Sequence, residues 1–79
     1  MKDKIKNIMS VVLEVEFDMI SDSDDAKSID NWDSINHMNL IVALEEEFNV
    51  LFDDEEIVEL TSVRNIYSLL TLKIGSKDN

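Results

Sequence analysis

The sequence predicts an all-α domain: a small bundle of three main helices plus one short helix, with a long loop between the first two. Three observations carry this. Apolar residues recur at helical spacing in separate stretches. The central stretch, residues 34–48, has no Gly and no Pro and is rich in good helix formers. Between the first two periodic stretches lies a long polar, acidic segment.

The first helix is expected over residues 3–16. Ile5, Ile8, Met9, Val12 and Leu13 recur at helical spacing, and Phe17 extends their face. Lys2, Lys4, Lys6, Glu14 and Glu16 fall mostly off it, so the Met and Ile stripe reads as core rather than as a ligand box. Residues 18–33 read as a structureless loop, with Ile20, Ile29 and Trp32 as its apolar anchors. A loop of that length in a small domain tends to be functional.

Asp33 is a good N-cap for the helix at 34–48, since its carboxylate can accept from the unpaired N–H groups of the first turn. Ser34 then takes the first helical position, with its small hydroxyl at the exposed mouth. Residues set about 100° apart around the axis divide the apolar side chains into two arcs. Leu40, Ile41, Leu44 and Phe48 form an ordinary core stripe. Ile35, Met38 and Val42 form a second arc beside Ser34, flanked by Glu45 and Glu46. A helix in a small bundle cannot easily bury both arcs. The second is therefore read as a partner-docking surface, with Ile35, Met38 and Val42 as its apolar centre and Asp33, Glu45 and Glu46 as its acidic rim.

Residues 49–52 end this helix, with Val50 and Phe52 pointing inward. A short helix is expected over 54–60. Its acids sit in the first turn, where the helix dipole favours them, and Ile57 and Leu60 are its core residues. Ser62 caps a last helix over 63–74, whose stripe is Val63, Ile66, Tyr67, Leu70 and Ile74. Gly75 is the expected stop, and residues 76–79 are expected to fray.

Seventy-nine residues make one domain, 1–79. A chain this short buries only about 60–65% of its unfolded surface, enough for a binding surface or a shallow pocket but not for a large enclosed active site. With no Cys there is no disulfide and no thiolate metal site. Eighteen acidic against seven basic residues give a net charge of −11, which argues against nucleic acid and anionic membranes and favours basic partners. The amino-terminal apolar stretch is too broken by charge for a signal peptide, and no run approaches a membrane span. The expectation is a cytoplasmic monomer without membrane insertion.

Ser34 as a catalytic nucleophile lacks a convincing base. The one His, His37, lies three residues on, and reads as a partly buried structural or pocket-lining residue. Asp22, Asp24, Ser28 and Asp33 partly mimic a calcium-binding loop, but Lys27 stands where that loop needs Gly and the closing residue is Asp rather than Glu. No metal site is expected.

The string Asp33-Ser34-Ile35, then Leu40-Ile41, then Ala43-Leu44-Glu45-Glu46-Glu47-Phe48, resembles the acyl carrier proteins. The likeness runs from about Trp32 to Leu70; the first helix agrees in pattern only, and Ile35 stands where the family usually has Leu. The resemblance implies that Ser34, introduced by Asp33, is esterified with 4′-phosphopantetheine from coenzyme A by a separate Mg²⁺-dependent phosphopantetheinyl transferase (holo-acyl-carrier-protein synthase). The arm's thiol would carry acyl or aminoacyl groups as thioesters between enzymes of fatty-acid, polyketide or other specialised biosynthesis. The partners implied are that transferase and acyl-loading and acyl-transferring enzymes with basic docking surfaces; the chain itself would be no enzyme. Cargo would tuck between the helices, near Leu44, Phe48, Ile57 and Tyr67. Trp32, in place of the small residue that fatty-acid-synthesis members usually carry, reads as a loop anchor or as a contact to the arm or to a partner. Together with Asn31 it points to a specialised pathway. The alternative is an unmodified acidic helical interaction module.

Overall fold

The computed structural model describes residues 1–77. In chain order these form helix α1 (Lys2–Leu13), a 3-10 turn (Phe17–Met19), α2 (Ser34–Phe48), α3 (Asp54–Glu59) and α4 (Val63–Lys77). The fold is all-helical, as expected for an acyl-carrier-like chain.

The core is built from one stripe on each long helix. Ile5, Met9 and Leu13 of α1, Leu40, Ile41 and Leu44 of α2, and Val63, Ile66 and Leu70 of α4 are all buried, and Leu60 closes the end under α3. The same cluster takes in Ile20, Ile29 and Trp32 from the loop and Val50 and Phe52 from the turn after α2.

Several boundaries differ from expectation. α1 stops at Leu13, not at residue 16, because Glu14 adopts the left-handed conformation (φ 55°, ψ 47°) and the Val15 N–H reaches back to the Ser10 carbonyl at 3.2 Å. A Glu rarely takes this conformation, so the sequence gives no warning of it. Phe17 then starts the 3-10 turn and is half-buried rather than extending the helix face. Asn49 makes the same left-handed turn after α2 (φ 54°), where Asn is an ordinary choice. α3 ends at Glu59, with Leu60 buried as its C-cap, and Ile57 is only half-buried. α4 runs past Gly75 to Lys77, and Gly75 does not adopt a positive φ. A glycine permits a helix to stop but does not force it. Of the residues expected to fray, Asp78 and Asn79 lie outside those described.

The loop before α2 is not structureless. The Asp25 carboxylate accepts from the backbone N–H of Lys27 (2.9 Å) and Ser28 (3.0 Å), and Ser28 Oγ donates to Asp24 at 2.9 Å. Asn31 donates through Nδ2 to the carbonyl of Leu13, closing the end of α1. The loop is also clipped to the α3–α4 corner. Ala26 N–H donates to the Thr61 carbonyl (2.9 Å) and Val63 N–H donates to that of Asp24 (3.0 Å), a single antiparallel bridge between Asp25 and Ser62. The whole segment thus delivers the chain to Ser34 on a fixed path.

Candidate functional site

Asp33 caps α2 as its sequence predicts. Its backbone is extended (φ −98°), and its carboxylate accepts from the Asn36 N–H at 2.8 Å. Asn36 adds a second tie, donating through Nδ2 to the Asn31 carbonyl at 2.8 Å. Ser34 follows as the first helical residue. It is exposed, and its hydroxyl is engaged by no other group among the described residues. It lines an open groove of ≈350 Å³ with Ala26, Trp32, Asp33, His37 and Thr61.

The floor of that groove is a hydrogen-bonded relay. Trp32 is buried, and its indole Nε1–H donates to His37 Nδ1 at 3.0 Å. His37 Nε2 lies 2.8 Å from the carbonyl of Ile57, on α3. An indole N–H can only donate and a carbonyl can only accept, so the two bonds together call for the imidazole tautomer that carries its hydrogen on Nε2. With both nitrogens engaged, His37 is not placed to act as a base for Ser34. The sequence reads His37 as a partly buried structural or pocket-lining residue and gives no sign of the relay, whose third member lies twenty residues away.

The outer arc of α2 is open to solvent. Ile35 is 75% exposed, Met38 47% and Val42 48%, while Leu40, Ile41 and Leu44 on the opposite side are sealed. Glu46 is exposed, and Glu45 is tied down at one oxygen, which accepts from the Phe52 N–H at 2.9 Å. Glu45 therefore fixes the turn after α2 as well as bordering the arc. That turn adds a residue the sequence reading missed: Leu51 is exposed and shares a shallow depression with Val42, Glu45 and Glu46. The signal was present, because Val50 and Phe52 point inward and an extended segment must turn the residue between them outward.

The residues expected near a cargo pocket are less available. Leu44 has no exposed surface, Phe48 and Ile57 are half-buried against the core, and Tyr67 lines a separate depression with Lys2, Asp22, Val63 and Arg64. The carboxylates of the calcium-like string face different donors. Asp22 pairs with Lys2 (2.9 Å) and Lys6 (3.2 Å), while Asp24 accepts from the Ser21 N–H at 2.8 Å. Hydrogen bonds and charge from Lys2 and Lys6 hold Asp22 below the usual carboxylate range, and the Ser21 N–H does the same for Asp24. The bond to Asp22 raises Lys2 in turn. Among the described residues no three acidic, His or Cys side chains are grouped to hold a metal ion, and no helix is long and apolar enough to cross a membrane.

Comparison with known proteins agrees with this geometry. The family model for the phosphopantetheine attachment site matches residues 3–70. An acyl carrier protein of Picosynechococcus sp. is 32% identical over 94% of this chain and 91% of its own length. One from Petrotoga mobilis is 32% identical over 96% and 89%. Polyketide-8 synthase acyl carrier protein 2 of Streptomyces avermitilis is 28% identical over 94% and 85%. The chain belongs to the acyl carrier protein family: it is a carrier of acyl groups built around a phosphopantetheine attachment site, and not an enzyme.

Proposed function

We propose, from this membership, that Ser34 bears the phosphopantetheine arm and that the chain carries acyl thioesters for fatty-acid or polyketide synthesis, or for a related specialised pathway, in the cytoplasm. One observation carries the assignment of Ser34: a hydroxyl with no other engagement, exposed at the first position of a capped helix, beside an open groove. A phosphodiester there would sit at the positive end of the α2 dipole, where backbone N–H groups are unpaired. Asp33 holds that end in shape by capping it.

The arm supplies a thiol that forms a thioester with cargo; the chain's own residues display it and offer a landing surface. Ile35, Met38 and Val42, with Leu51 beside them, form the apolar centre on which a phosphopantetheinyl transferase and acyl-transferring enzymes would dock. Glu45, Glu46 and Asp33 border it, and the net charge of −11 steers basic partner surfaces toward it. Such contacts are weak and salt-sensitive, as a shuttle requires.

Incubation with coenzyme A, Mg²⁺ and a broad-range phosphopantetheinyl transferase tests this by intact mass. Wild type gains the mass of one phosphopantetheine and Ser34→Ala gains none. No gain on wild type, or an equal gain on Ser34→Ala, overturns the assignment.

A further inference from the structure

We propose that Trp32 and His37 bar entry to the helical interior beside Ser34, and so select for cargo handled at the surface: short or polar acyl groups rather than long apolar chains. This rests on Ser34 bearing the arm.

The bar joins three segments. Trp32 ends the loop, His37 stands in the first turns of α2, and the Ile57 carbonyl belongs to α3. The two rings lie with centroids 6.2 Å apart and planes at 29°, so they close the groove floor as one slab. Ser34 lines the same groove as this slab, so a group tethered there starts beside it. Leu40 and Leu44 follow His37 at i+3 and i+7, on the buried side of α2. The route considered for apolar cargo from the groove to them passes between α2 and α3, past the His37–Ile57 bond. Among the described residues, the His37–Ile57 bond is the one side-chain hydrogen bond that joins those two helices. The other side-chain ties of α3 to a helix run to α4: Glu56 to Lys73 at 3.0 Å, and the Glu59 carbonyl to Asn65 at 2.9 Å.

Opening the gap would leave the His37 Nε2–H and the Ile57 carbonyl without their partners in a half-buried place, a fixed cost. The gain from burying cargo grows with each methylene. The balance is therefore a threshold in chain length. Short or polar cargo stays outside, and removal of the bar lowers the threshold.

The test loads the carrier with acetyl or octanoyl phosphopantetheine, from the corresponding acyl-coenzyme A, and follows thioester cleavage by hydroxylamine. In wild type the two cargoes should be cleaved at rates within about twofold of each other. In His37→Ala octanoyl should be cleaved about threefold or more slowly than acetyl, because it now gains shelter. Trp32→Phe keeps a buried ring but loses the donor and part of the indole's bulk, and should shift cleavage in the same direction by less. A variant that merely loosened the fold would expose cargo, the opposite sign, and far-UV circular dichroism checks that helix content is kept. Equal octanoyl shelter in wild type and His37→Ala overturns the proposal, as does shelter in neither. A failure of the Ser34 assignment is distinct: no mass is gained at loading, before any cleavage is read, and premise and proposal fall together.

Discussion

The two sides of α2 are built to opposite ends. The inner side is fastened: Leu40, Ile41 and Leu44 are sealed in the core, and His37 is held by hydrogen bonds at both ring nitrogens. The outer side is bare: Ile35, Met38 and Val42 keep from about half to three quarters of their surface in water. Both sides are apolar, so composition does not separate them. What separates them is whether neighbours from α1, α3 and α4 cover the arc. The fastened side gives Ser34 a fixed address, and the bare side leaves surface for partners that must come and go.

The contrast breaks most visibly at Leu44 and Val42, one on each side. Leu44→Ala should cost about 2–5 kcal/mol in denaturant-measured stability, through lost burial and the cavity left behind. Val42→Ala, at a half-exposed site, should stay within about 0.5 kcal/mol of wild type. If Val42→Ala proved as costly as Leu44→Ala, the outer arc would be core and not landing surface.

Docking should move the other way. Met38→Ala combined with Val42→Ala should lower kcat/KM for arm attachment by about tenfold, the equivalent of about 1.4 kcal/mol, while the melting temperature barely shifts. An unchanged kcat/KM would remove these residues from the docking surface.

Capping sharpens the comparison further. Asp33→Ala and Asp53→Ala each remove one N-cap bond, at 2.8 Å and 2.9 Å, and each should cost about 1 kcal/mol by chemical denaturation. Asp53 belongs to a reciprocal capping box with Glu56, so Glu56→Ala should reproduce part of its loss. Only the Asp33 change should also slow arm attachment, because only Asp33 shapes the turn that presents Ser34.

The smallest effect concerns the loop. Asp22 and Asp24 are both held below the usual carboxylate range in the folded chain. The unfolded chain therefore takes up protons first as pH falls. The stability these carboxylates add is in place above about pH 4 and is lost as pH drops through their lower folded values. Lys2 is raised, so its share is present below about pH 10.5 and is lost as pH rises beyond that. Both partners are exposed, so the change should be small and should shrink further in salt. Amide shifts of Ser21 and Asp24, followed by NMR from about pH 5 to pH 2, should move together; separate transitions would count against a shared tie.

Much of this was legible in the chain itself. The stripes of α1, α2 and α4, the cap at Asp33 and the exposed arc beside Ser34 are periodic or local features, set by residues within a few positions of one another. What was not legible depends on distance or on conformation. Glu14 ends α1 in a backbone state its side chain does not favour, so the continuing apolar stripe misled. The order inside the loop comes from Asp25, Ser28 and Asn31 finding backbone partners, which polar composition alone does not reveal. The relay needed Ile57 to arrive from another helix. Leu44 lies on a buried arc and Phe48 is half-buried at its end, but periodicity cannot say whether such an arc leaves room for a guest.

The bridge between Asp25 and Ser62 has one more consequence. It ties the chain into a hoop, so that Ser34 is displayed on a closed band and not on a free strap. Pulling or lengthening the band at the Thr61 corner would be felt at the serine. A fluorophore should be kept away from that corner, and deuterium uptake at Ala26 and Val63 would report the moment the hoop springs open.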